Sequence, residues 1–201
     1  MISVAKFFWG YNQFMFTKNS RNRYDKKDSL ELGRRAEDSF ARLAIQHGFK
    51  VTASSEKGNI DEHFDYVIER DGKSHKVDVK SIKRKSRGDK ELQDEFLWIE
   101  LRSVRENNKG WLYDGHADLI AFELAKSFRI VDRLELIALV EKLVDFGAKV
   151  VSPKDALYKV YSRKSRPDLL TMIKSDDLLR LRHAEWGKGN AKTDRSPRPA
   201  D

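Results

Sequence analysis

At 201 residues the chain is long enough for one domain with a full core and some decoration. Its 40 Lys and Arg against 32 Asp and Glu leave a net charge of +8 and a pI near 9.5, which favours a polyanionic partner, nucleic acid or an acidic membrane surface. No apolar run is long enough to span a membrane, and the absence of Cys excludes disulfides and thiolate metal sites and fits a reducing cytoplasm.

The first stretch, with Phe7, Phe8, Trp9, Tyr11, Phe14 and Phe16, is aromatic and too interrupted for the apolar core of a signal peptide. It reads as a segment covering part of the core, with a dimer contact or a base-stacking surface left open. Lys18, Arg21, Arg23, Lys26 and Lys27 then make a polar linker, so residues 1–28 form an aromatic and basic extension. A helix is expected over 30–48, with Ser29 as N-cap, Leu32, Ala36, Phe40, Leu43 and Ala44 at helical spacing, and Gly48 closing it. Glu37 stands beside Ala36 at the edge of the apolar stripe. Residues 49–54 read as the first strand, followed by a small polar loop over 54–59. His63 reads as a surface or backbone-bonded side chain, with a phosphate or water contact as the alternative.

Residues 64–82 carry the densest signal. Two β-forming runs flank Asp71-Gly72, the strongest short-range hairpin signature. A two-residue turn pairs Arg70 with Lys73, Ile68 with His75 and Tyr66 with Val77, and sets Asp65 opposite Asp78. Side chains two apart share a face, so Lys80 joins the two carboxylates while His75 turns away. Like charges in opposition destabilise a hairpin, and a divalent cation is the usual reason to keep them. Acid-x-Lys also occurs at Asp25–Lys27 and Asp71–Lys73, but only Asp78–Lys80 lies inside a strand facing another acid.

Asp65 together with Asp78-Val79-Lys80 resembles the signature of the PD-(D/E)XK nuclease superfamily, with Phe64 where that pattern has Pro. The acid, not the Pro, would hold the metal. Gly33-Arg34-Arg35-Ala36-Glu37 looks like the Gly-x-x-Ala-Glu on the first helix of resolvase-like members. The resemblance spans residues 29–125. It implies an α/β, restriction-endonuclease-like domain: a mixed sheet of four to five strands flanked by helices, with the Glu37 helix on the site face. It also implies Glu37, Asp65, Asp78 and Lys80 as catalytic residues, with Asp65, Asp78, Glu37 and the Val79 carbonyl around Mg²⁺ or Mn²⁺. Hard oxygen ligands suit those ions, and a lysine beside them can orient the nucleophile or neutralise developing charge.

Downstream, Lys83, Arg84, Lys85 and Arg87 form a basic loop tethered to the catalytic strand, read as a phosphate contact in preference to a merely solvated loop. Arg34 on the helix is a further nucleic-acid candidate. Strands are expected over 96–101, 117–123 and 127–131, with an aromatic turn over 110–115. Asp118 reads as a strand-end acid satisfied by amides. A helix capped by Asp132 is expected to run to Gly147. Residues 158–163 and 169–173 read as a second hairpin, putting Tyr161 and Arg163 on one face as a nucleic-acid contact or an exposed rim. A short helix starts at Ser175, residues 29–186 make the domain, and 187–201 form a disordered tail. The expected activity is Mg²⁺-dependent DNA endonuclease, cutting branched structures or acting in restriction-like fashion, with DNA as partner, no membrane and a homodimer left open. The alternatives are a catalytically inactive nucleic-acid-binding or interaction protein on the same fold and, more distantly, a basic membrane-surface protein.

Overall fold

The computed structural model describes residues 20–55, 62–85, 91–104, 109–163 and 166–189, with side chains from residue 30 onward. The aromatic stretch 7–16, Arg87 and the tail beyond residue 189 lie outside the described residues. The fold is α/β with mixed sheets. A six-stranded sheet runs in the order β1 (Lys50–Ala53), β2 (Tyr66–Arg70), β3 (Lys73–Lys80), β5 (Leu119–Glu123), β6 (Ser127–Asp132), β10 (His183–Gly187). A separate four-stranded sheet runs β4 (Phe96–Arg102), β9 (Leu169–Lys174), β8 (Lys159–Ser162), β7 (Asp145–Val150). In the larger sheet only β3 and β5 are parallel. The chain between them runs through β4 and the short helix α2 (Gly110–Asp114).

The two faces of β3 divide the core. Val77 and Val79 pack with Ala36, Phe40, Leu43 and Ala44 of α1 (Ser20–Gln46), and with Ala121, Phe128 and Trp186. The opposite face belongs to the larger cluster. There Ile120, Phe122 and Val131 meet Leu97, Ile99 and Leu101 of β4, Trp111 and Leu112 of α2, and Leu136, Leu139 and Val140 of α3 (Arg133–Leu143). The result is three layers: α1, the large sheet, then the small sheet with α2 and α3. A strand covered on both faces cannot alternate cheaply between apolar and charged residues, which makes Asp78, 4% exposed, the conspicuous residue in it.

Several expectations need correction. Helix α1 starts at Ser20, so Ser29 lies inside it and is no N-cap; at its other end Gly48 takes φ 81°, and Phe49 N–H donates to the Ala44 carbonyl, as expected of a C′ glycine. Helix α3 stops at Leu143, where the chain turns into edge strand β7, though Asp132 does cap it, accepting from Leu134 and Glu135 amides. The aromatic turn at 110–115 is the helix α2. Gly187 ends strand β10, which adds to the edge of the large sheet alongside β6. The 158–163 and 169–173 runs do pair as an antiparallel hairpin, and Asp118 does accept the Lys76 amide, at 2.8 Å.

Candidate active site

The β2–β3 hairpin has the register read from the sequence, from Arg70 with Lys73 to Tyr66 with Val77. Asp71 and Gly72 both take positive φ, 53° and 72°, the turn that matches the strands' right-handed twist. Past Tyr66 the ladder departs from expectation. The Asp65 amide donates to the Val77 carbonyl at 2.8 Å, one residue short of Asp78. The Asp65 carboxylate accepts the Val79 N–H at 2.7 Å. Squarely opposed carboxylates repel, whereas a backbone N–H gives one of them a charge-assisted hydrogen bond. A residue's N–H and C=O point to the same edge of its strand, so the Val79 carbonyl also faces the Asp65 side.

Asp78 and Lys80 project together from the face of β3 opposite α1. The Lys80 ammonium lies 2.6 Å from the buried Asp78 Oδ2, which accepts no hydrogen bond among the described residues. On its other side the ammonium sits 4.4 Å from the centre of the Trp111 ring. Burial, then the Asp78 charge, push the Asp65 carboxyl up from 3.8 to about 7, against the Val79 amide and the Lys80 charge. Such a rise marks two acids sharing one poorly solvated space.

Glu37 reaches this cluster differently from the expectation. Alternation along β3 sends Val77 and Val79 towards α1 and Asp78 and Lys80 away, so the Glu37 helix covers the face opposite the acids. Glu37 nonetheless feels them: its carboxyl is raised by burial first, then by Asp38 and Asp78, while Arg34 and Lys80 oppose. Arg34 itself is exposed. Among the described residues no three acid, His or Cys side chains stand close enough to ligate one ion. The donors do suit a hard cation: the Asp65 and Asp78 carboxylates and an adjacent carbonyl. Mg²⁺ keeps several waters and needs only one or two carboxylates.

The basic segment is pinned rather than loose over residues 83–85. Lys83 bridges to Gln93, Trp98 Nε1 donates to the Arg84 carbonyl at 3.2 Å, and Lys85 lies 4.0 Å from the Phe96 ring. The Lys83 ammonium is lowered by burial first and by Lys80 second, with Glu123 opposing. Tyr161 packs on Trp98, 5.6 Å between ring centres, and Arg163 pairs with the buried Asp168. Both are therefore half-buried, Tyr161 within β8 and Arg163 just past its end, not a free rim.

Three neighbours escaped the sequence reading. Glu100 on β4 is half-buried; burial raises its carboxyl, the Trp111 amide opposes, and Lys80, Arg163 and Asp78 also act on it. Trp111 lies under Lys80. Tyr66, pushed up to about 12 by burial and then Glu37, keeps its phenolic proton beside the acids. Glu100 and Trp111 belong to the crossover between β3 and β5, and nothing local in the sequence ties them to Lys80. Tyr66 was legible in principle, adjoining Asp65 and pairing with Val77.

No family model and no curated protein matches the chain. Among solved structures, the bacterial homing endonuclease I-Ssp6803I overlaps 55% of this chain and 72% of its own, with 18% identity and a TM-score of 0.42. Overlap at that level says nothing by itself about activity. No helix among the described residues is long and apolar enough to cross a membrane.

Proposed function

We propose that the chain is a divalent-metal-dependent DNA endonuclease of the PD-(D/E)XK kind. One observation carries the reading: on one hairpin Asp65 takes the Val79 amide beside Asp78, whose own carboxylate meets Lys80 at 2.6 Å, and burial first and the Asp78 charge second lift the Asp65 carboxyl to about 7, with Glu37 within electrostatic reach. A purely structural pair would gain by losing one acid, whereas a cation site requires both. Asp65, Asp78 and the Val79 carbonyl would hold Mg²⁺ or Mn²⁺, with Glu37 joining through water. The bound ion supplies an acidified water and polarises the phosphate. Asp65 would bind the ion as a carboxylate, its proton passing to solvent. Lys80 orients the attacking water or neutralises charge on the non-bridging oxygens. Arg34, Lys83, Arg84, Lys85 and Arg87 would steer the phosphate backbone, and the net charge of +8 suits that partner.

The test is incubation with Mg²⁺, Mn²⁺, Ca²⁺ or EDTA and labelled linear, nicked, flapped, single-stranded and four-way DNAs. Cleavage in Mg²⁺ and Mn²⁺, with binding but little cutting in Ca²⁺, supports the reading, because the larger and looser Ca²⁺ shell misplaces the water. Binding without cleavage in any metal turns the reading to a nucleic-acid-binding protein that keeps the site residues.

A further inference from the structure

Lys80 is held from two directions. Asp78 Oδ2 lies 2.6 Å from its ammonium, and the Trp111 ring centre lies 4.4 Å away. Trp111 owes its place to β4. Gly110, at φ 76°, sits so tightly on that strand that a Cβ would meet the Glu100 carbonyl at 2.7 Å and the Arg102 amide at 3.0 Å. A side chain there is excluded by both sterics and backbone conformation. The close approach brings the Trp111 backbone amide up to the Glu100 carboxylate, so ring, acid and strand form one unit beside the ammonium. Trp111 is 8% exposed, packed in the larger core cluster.

Asp78 Oδ2 cannot keep a lysine at 2.6 Å and also give that oxygen to a divalent cation. Once a cation engages Asp78, the Trp111 ring still lies 4.4 Å from the Lys80 ammonium, and the Glu100 charge acts on it alongside Asp65 and Glu37. We propose that Trp111 and Glu100 are positioning residues that hold the Lys80 ammonium over the site when Asp78 turns to the metal, an inference that rests on the nuclease reading. The small sheet then takes part in the chemistry through β4, beyond closing the core.

The bland alternative is that Glu100 only caps α2 and Trp111 only fills the core. Glu100→Gln separates the two, because glutamine keeps the shape and an oxygen facing the Trp111 amide while the charge is gone. Trp111→Phe keeps an aromatic face of weaker cation–π strength and Trp111→Leu removes it. The experiment measures single-turnover cleavage at saturating Mg²⁺ and DNA, DNA affinity, and the Lys80 ε-methylene NMR signal in lysine-labelled protein, assigned with Lys80→Arg. An ammonium over an indole face shifts its methylene upfield. Expected are an upfield Lys80 signal in the parent, a smaller shift in Trp111→Phe and none in Trp111→Leu. Cleavage should fall about three- to thirtyfold in Glu100→Gln and Trp111→Leu, the range such contacts span, and less in Trp111→Phe, with DNA affinity unchanged.

Glu100→Gln and Trp111→Phe cleaving at the parent rate would overturn the proposal, as would a Lys80 signal with no upfield shift in the parent. Should Trp111→Leu fail to fold, the other two variants decide. Absence of cleavage by the parent would instead count against the nuclease reading, while the NMR signal still decides whether Trp111 seats Lys80.

Discussion

Asp65→Asn isolates the energetic signature of the site. In the folded chain the Asp65 carboxyl is raised from 3.8 to about 7, by burial first and Asp78 second. At about 1.36 kcal/mol per pKa unit, ionising it costs the folded state about 4 kcal/mol relative to the unfolded chain, a ceiling because the side chain is only partly buried. A raised carboxyl contributes its stability fully below pH 4 and loses it as pH rises through 7. Asn keeps the shape and an oxygen for the Val79 amide but carries no charge. Without metal, parent and variant should therefore melt alike near pH 4, and the variant should gain steadily up to pH 8. The limiting difference, at ~2–4 °C per kcal/mol for a domain of this size, is on the order of 10 °C. Thermal melts of both proteins in EDTA at closely spaced pH values measure it. A difference between the two that stays constant from pH 4 to pH 8, whatever its sign, refutes the crowded-carboxylate account.

Added Mg²⁺ should raise the parent's melting temperature by mass action, more strongly at pH 8 than at pH 6 because the Asp65 proton must leave first, and Asp78→Asn should lose most of the gain. Calorimetric melts with and without Mg²⁺ check both halves. Lys80→Ala should keep DNA affinity within about threefold and lose cleavage by about two orders of magnitude or more, read by gel shift and single-turnover assay. Neutralising Lys83, Arg84, Lys85 and Arg87 together should weaken binding and flatten its salt dependence, and an unchanged slope in a salt titration removes that segment from the interface. Phe40→Ala, at a position with 0% exposure between α1 and the large sheet, should destabilise by about 3–5 kcal/mol in a urea melt without changing metal preference.

The hairpin at the centre of the site was legible because its determinants are local. Asp71-Gly72 dictates the turn, the turn sets the register, and the register puts Asp78 and Lys80 on one face. The sideways step of Asp65 was not legible, since it depends on a carboxylate choosing the Val79 amide over direct opposition to Asp78. Which face α1 covers was readable from the alternation of Val77 and Val79 with Asp78 and Lys80, but the resemblance pulled the expectation to the other side. The small sheet was hidden for a different reason. β4 reads as a core strand, yet its partner β9 lies about seventy residues downstream, and nothing local announces a pairing at that separation. Glu100, Trp111 and the docking of residues 83–85 all depend on that sheet, so they were out of reach. The helix starting at Ser20 was missed because polar residues such as Ser29 look like caps wherever an apolar stripe begins.

The central claim is that Asp65 and Asp78 jointly hold a divalent ion for phosphodiester hydrolysis. Hydrolysis of supercoiled DNA by the parent and by Asp78→Asn, side by side at pH 8 with Mg²⁺ and with EDTA, tests it most directly. The account predicts cleavage by the parent that needs Mg²⁺, and none by the folded Asn variant even though it still binds DNA. Cleavage by Asp78→Asn at the parent's rate, or by the parent in EDTA, would contradict it.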